Sequence, residues 1–62
     1  MGAEDHPAAA KAAAIISETK TVASTAKLEI LRERERANVD AMPTEYRDQC
    51  IAAFEAAEGR LS

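Results

Sequence analysis

The chain has 62 residues, so it forms one small domain at most and is too short for a Rossmann domain or a barrel. It carries 8 Lys and Arg against 11 Asp and Glu, a net charge of −3 that argues against the basic surface of a typical nucleic-acid binder. A single cysteine and a single histidine exclude a disulfide framework and the usual zinc sites.

The first six residues are predicted to form a flexible N-terminus that leads into a helix. Asp5 is a suitable N-cap residue because its carboxylate can accept a hydrogen bond from the first turn. Pro7 fits that turn, since its missing N–H would have no partner there. The helix is therefore expected to begin at about residue 7.

A long first helix is predicted from about 7 to 41. Between Pro7 and Asp40 there is no further proline and no glycine, and most residues are strong helix formers. Helix propensity is lower within Ser17–Thr25, where six of nine residues are Ser, Thr or Val. One continuous helix is favoured because this stretch lacks Gly, Pro and a capping box. A three-helix arrangement, broken within Ser17–Thr25, is the alternative.

A shorter second helix is predicted from about 43 to 58. Proline disfavours the α conformation of the residue before it, so Met42 ends the first helix and Pro43 opens the second. Glu45 lies near the start, where a negative charge interacts favourably with the helix dipole. Gly59 suits the position just beyond the end of the helix.

The predicted fold class is all-α, a long helix and a shorter helix that form a helical hairpin as one domain from 7 to 62. A second helix of about 16 residues spans roughly 24 Å and covers only part of a first helix of roughly 50 Å. An apolar stripe left open on a small protein usually marks an interaction surface. We therefore expect the hairpin to complete its core by oligomerising, most simply as an antiparallel, coiled-coil-like dimer with four helices.

Two groups of apolar side chains are the candidate interaction residues. Aliphatic residues on the open part of the first helix are predicted to form the association face: Ile15, Ile16, Val22 and Ile30. Apolar residues of the second helix are predicted to anchor the hairpin: Tyr46, Ile51 and Phe54. Since aromatic side chains also dominate interface energetics, Tyr46 and Phe54 can serve a partner as well.

Charged residues alternate in sign near the end of the first helix, where the sequence reads Arg-Glu-Arg-Glu-Arg. The alternation nearly cancels the charge, so a solvated helix face is favoured over an RNA-binding stretch. Three arginines in this run are predicted to set the pairing register with a partner of complementary charge: Arg32, Arg34 and Arg36.

Two further side chains could carry chemistry, but a simpler interpretation is favoured for each. Cys50 lies within the apolar stripe of the second helix, which favours a small buried side chain over a nucleophile. His6 lies beside Pro7 near the N-terminus, where an exposed histidine without a special role is expected. The sequence therefore predicts no enzyme activity, catalytic residue, metal site or cofactor.

The apolar periodicity and the unequal lengths of the two predicted helices favour a non-catalytic interaction, regulatory or assembly protein that acts through helix–helix packing, with itself or a larger protein as partner. A small nucleic-acid-binding regulator is the alternative, if dimerisation gathers the arginines on one surface. No signal peptide or membrane-spanning segment is recognisable, and a cytoplasmic location is expected.

Overall fold

The computed structural model describes residues 6–62, and this part of the chain contains three α-helices. The helices are α1 (Pro7–Thr21), α2 (Thr25–Asp40) and α3 (Thr44–Leu61), which confirms the all-helical fold class. None of the three is long and apolar enough to cross a membrane. The predicted Asp5 cap and most of the predicted flexible N-terminus lie outside the described residues.

The prediction of one continuous first helix is wrong, because the chain leaves the helical conformation at residues 22–24. Val22 has φ −66° and ψ 137°, and Ser24 has φ −149° and ψ 157°, both extended conformations. Ser24 is the N-cap of α2, since its Oγ accepts a hydrogen bond from the Lys27 N–H at 3.2 Å. The break lies within Ser17–Thr25, as the three-helix alternative predicted.

Arg60, in the last turn of α3, holds the end of α1 in place. Its guanidinium group donates hydrogen bonds to the carbonyl oxygens of Thr19, at 2.9 Å, and Val22, at 3.0 Å. The last carbonyl groups of a helix lack partners within the helix, and a positive charge is favourable at that end. The side chain therefore replaces the helical hydrogen bonds that α1 gives up where it ends.

The second helix boundary lies close to its predicted position. Met42 ends the turn after α2, and Pro43, with φ −55° and ψ 151°, is the N-cap of α3. The predicted end near 58 is corrected, because α3 continues to Leu61 and Gly59 lies inside its last turn. Leu61 packs against the core, which gives this last turn a stabilising contact.

The core lies where the three helices meet, with α3 packed against both of the others. It is built from side chains of every helix and of the second turn, namely Ala12, Ile15, Leu28, Leu31, Val39, Met42, Tyr46, Cys50, Phe54 and Ala57. The expectation that the Ile15 region stays open to water is wrong, since Ile15 is only 1% exposed. The break at 22–24 lets α1 fold back onto α3, so the chain covers this side chain by itself.

Candidate interaction surface

An open groove runs between α2 and α3 and encloses about 410 Å³. Its apolar lining consists of Val39, Phe54 and Ile51, of which the first two are buried core residues. Ile51 is 43% exposed, a large fraction for an isoleucine on a folded bundle. The groove therefore presents apolar surface to the solvent at one side of the core.

Charged side chains form the rim of this α2–α3 groove. They come from both helices and comprise Arg32, Glu33, Arg36, Asp40, Glu55 and Glu58. The guanidinium carbon of Arg32 lies 5.6 Å from the centre of the Phe54 ring, a cation–π contact. Arg32 also forms a salt bridge with Glu58, which links α2 to α3 along the rim.

Arg34 faces the opposite side of α2, towards α1. Its Nη2 donates to Oε2 of Glu18 at 2.7 Å, and its Nε donates to Oε2 of Glu35 at 3.2 Å. The predicted register arginines are thus divided between the two sides of α2, with Arg34 towards α1 and Arg32 and Arg36 at the groove. The carboxylates paired with Arg32 and Arg34 offset much of the positive charge that nucleic-acid binding would require.

Ile30 is the second large apolar side chain that the bundle leaves open, at 66% exposure. It borders a groove of about 360 Å³ between α1 and α2, beside Val22 and Leu31. Val22, at the edge of this groove, is half-buried. Ile30 and Ile51 therefore lie in separate grooves and do not form one continuous face.

Glu35 of α2 is a buried carboxylate, 5% exposed, with hydrogen-bonding partners from two helices. Oε1 accepts from Nδ2 of Asn38 at 2.8 Å and lies 3.3 Å from Nζ of Lys11, while Arg34 reaches Oε2. The Asn38 hydrogen bond, with the Lys11 and Arg34 contacts, lowers the pKa of Glu35 although burial acts in the opposite direction. The carboxylate thus stays ionised and joins α1 to α2.

Cys50 is fully buried in the core, with its Sγ 3.9 Å from Sδ of Met42. Burial raises the pKa of the thiol, and the negative charge of Glu35 raises it further. A thiol that is both inaccessible and protonated is a poor nucleophile. The surroundings of Cys50 are those of a small packing residue.

His6 caps the N-terminus of α1, in the position that the sequence assigned to Asp5. Its Nδ1 accepts a hydrogen bond from the Ala8 N–H at 3.0 Å, and Pro7 follows at the first helical position. The imidazole ring centre lies 5.5 Å from that of Tyr46 in α3. His6 is exposed, as expected, but it also stabilises the start of the helix.

The structure does not bring the predicted interaction residues together on one surface. Ile15, Tyr46 and Phe54 are core residues, Ile16 and Val22 are half-buried, and only Ile30 and Ile51 are widely exposed. Reasoning from the sequence missed the cluster around Glu35 and the Arg60 contact with α1. The predicted continuous helix would keep Lys11 far from Glu35 and would pair the carbonyl groups that Arg60 contacts within the helix, so the local pattern could not reveal either arrangement.

Comparison with known proteins assigns no relationship. None of the protein families, curated proteins and solved structures compared with the chain matches it. Within the described residues there is also no group of three or more His, Cys, Asp or Glu side chains placed to hold a metal ion.

Proposed function

We propose that this chain is a small non-catalytic interaction protein and that its α2–α3 groove binds an amphipathic helix of a partner protein. The observation that carries the proposal is the exposure of Ile51 in a groove lined by Val39 and Phe54. Water-exposed apolar surface with a polar rim is the usual form of a protein-binding site. A helix can bury its apolar stripe in such a groove.

The charge of the rim favours a partner helix with basic residues beside its apolar stripe. The groove is lined by two arginines and four carboxylates, and Arg32 is already paired with Glu58. Arg36 then stands against Glu33, Asp40 and Glu55, so the remaining charge is negative. Complementary charges steer association and disfavour partners of the wrong sign.

A separate partner protein is favoured over a second copy of this chain as the occupant of the groove. The expected oligomer was meant to cover the Ile15 region, but α1 and α3 bury that side chain within one chain. Moreover, the rim is acidic overall, so two copies placed groove to groove would bring like charges together. Self-association through this groove would instead give amide shifts around Ile51 that depend on protein concentration without any peptide, and it would overturn the proposal.

The test uses two designed helical peptides of about 18 residues with the same leucine stripe, one flanked by lysines and the other by glutamates. Amide chemical shifts of the isotope-labelled protein are recorded during titration with each peptide. We expect the lysine-flanked peptide to bind more tightly and to shift resonances around Arg36, Ile51 and Glu55. The glutamate-flanked peptide should bind at least about tenfold more weakly, which corresponds to about 1.4 kcal/mol.

Two matched variants locate the binding surface. Ile51→Asp removes the exposed apolar side chain of the α2–α3 groove, whereas Ile30→Asp makes the same change in the other groove. We expect Ile51→Asp to weaken binding of the lysine-flanked peptide at least about tenfold and Ile30→Asp to leave it nearly unchanged. Shifts centred on Ile30, equal loss in both variants or no binding of either peptide would overturn it.

A further inference from the structure

We propose that two copies of this chain exchange α1, so that α1 of one copy packs against α3 of the other. In the exchanged form, residues 22–24 become helical and join α1 to α2 in one helix from 7 to 40. Two such chains form a four-helix arrangement. Its internal packing is the same as in the closed bundle, the form described above in which α1 packs against α3 of its own chain. This inference does not rest on the proposed function of the α2–α3 groove.

The hinge at residues 22–24 is compatible with both conformations. It reads Val22-Ala23-Ser24 and contains neither glycine nor proline, so nothing in its sequence prevents a helix. Helices flank it on both sides, and α1 and α2 would merge if only these three residues changed conformation. Exchange of an identical element between copies is a low-cost route to a dimer, and short hinge loops favour it.

Two sets of hydrogen bonds stabilise the closed conformation at the hinge, and hydrogen bonds of a continuous helix can take the place of the second set. Ser24 Oγ accepts from the Lys27 N–H, and Arg60 donates to the carbonyl oxygens of Thr19 and Val22. In a continuous helix, the same carbonyls would accept from N–H groups four residues further on. The hinge therefore loses capping contacts on opening but gains regular helical hydrogen bonds.

When α1 leaves α3 of its own chain, a second copy can bind it, because that copy carries the same surface on which α1 packs in the closed bundle. The α1–α3 interface is the most extensive of the three helix pairs, and Ile15 of α1 is buried in the core. The Glu18–Arg34 and Lys11–Glu35 contacts join α1 to α2 across the hinge. A continuous helix would separate Lys11 and Glu35 by roughly 36 Å, so these ion pairs can re-form only between two chains.

The experiment measures monomer and dimer by size-exclusion chromatography with light scattering, after refolding from urea at a series of protein concentrations. Ala23→Pro should block the continuous helix, and Val22 already has the extended conformation that precedes a proline. Ser24→Ala should favour opening because it removes the cap of α2 and improves helix propensity. Thr44→Pro is the matched control, since it places proline at the first position of α3, away from the hinge.

We expect the wild-type dimer fraction to rise with refolding concentration. Ser24→Ala should increase the dimerisation constant at least about tenfold, and Ala23→Pro should reduce it more than about 100-fold. Thr44→Pro should leave it within about threefold. Circular dichroism on the same samples verifies that each variant is folded. The proposal is overturned if Ser24→Ala stays monomeric at every concentration, or if dimerisation is unaffected by Ala23→Pro.

A distance measurement separates exchange from side-by-side dimers. Chains with genetically incorporated spin labels at the exposed positions 10 and 37 are refolded with an excess of unlabelled chain. In the exchanged dimer the two labels of one chain should be roughly 40 Å apart, because a single helix connects them. A dimer that keeps the shorter distance of the closed monomer would overturn the proposal. Because Ala23→Pro leaves the α2–α3 groove intact, peptide binding to this variant tests the proposed function separately.

Discussion

The ammonium group of Lys11 in α1 lies 3.3 Å from Oε1 of Glu35 in α2. This ion pair joins two helices that the sequence predicted to be one continuous helix. Lys11 is about half exposed, whereas the Glu35 side chain is almost completely buried. A buried carboxylate is tolerated only when its oxygens are well provided with donors, and Asn38 and Arg34 supply the others. This ion pair can form within one chain only when α1 folds back against α2.

Glu35 is predicted to stabilise the fold at neutral pH and to lose this effect in acid. Its hydrogen bond from Asn38 holds the pKa in the folded state below the ordinary value of 4.5, with support from Lys11 and Arg34. Because the unfolded chain binds the proton more readily, the stabilisation is complete above about pH 4.5 and decreases as pH falls through the lower folded-state pKa. Protonation also removes the negative partner of Lys11.

The measurement is urea unfolding followed by circular dichroism, for the wild type and Glu35→Gln, between about pH 7 and about pH 3. We expect Glu35→Gln to lower the free energy of unfolding by about 1 kcal/mol at neutral pH, with the difference shrinking in acid. Glu33→Gln, an exposed change on the same helix, should stay within about 0.5 kcal/mol of the wild type. A difference for Glu35→Gln that does not vary with pH would contradict the assignment.

The burial of Ile15 predicts a large effect of truncation there and a small one at Ile30. Ile15→Ala leaves a cavity in the core, so it should lower the free energy of unfolding by about 2–4 kcal/mol. Ile30→Ala removes an exposed side chain and should change it by less than about 0.5 kcal/mol. Equilibrium unfolding in urea measures the free energy of unfolding of both variants. Equal losses in the two variants would show that α1 is not packed as described.

Replacement of Gly59 by alanine is predicted to stabilise the protein. Gly59 lies inside the last turn of α3, and a Cβ atom there would meet nothing within 4 Å apart from the adjoining backbone of its own helix. Alanine restricts the unfolded chain more than glycine does, so the gain should be about 0.5 kcal/mol at this helix end. Ala56→Gly, the reverse change at an exposed position of α3, should destabilise by about 0.5–1 kcal/mol. Thermal unfolding of both variants gives the comparison; a loss of stability in Gly59→Ala would disprove the helical assignment.

Cys50 is predicted to react with thiol reagents only when the bundle opens. Burial raises the pKa of its thiol and also blocks access, so the reaction at neutral pH should be more than about tenfold slower in the folded protein than in urea. Absorbance with a chromogenic disulfide reagent follows the rate, with a cysteine peptide as the control for the effect of urea on the reagent. Equal rates in the two states would mean that the thiol is accessible and would reopen a chemical role for it.

Local patterns predicted much of the helical structure and less of the candidate surface. The turn at Met42 and Pro43 follows from the restriction that proline places on its own backbone and on its neighbour, so its position was accessible from the sequence. Ile51 was predicted to anchor the hairpin but is 43% exposed, whereas Ile15 was predicted to lie on an open face but is buried. Periodicity identifies an apolar face, and it cannot tell whether the same chain or another one covers that face.

The sequence by itself determined that the described chain is helical, that a boundary falls near Pro43 and that residues 17–25 are the weakest part of the first helical region. The tertiary structure alone decided that the chain breaks at Val22–Ser24 and that α1 returns to cover α3. The physical reason is one of magnitude. Helix propensities differ by tenths of a kcal/mol per residue, whereas burial of a side chain such as Ile15 contributes about 1.5–3 kcal/mol. Packing between distant segments can therefore overrule the local preference for one continuous helix.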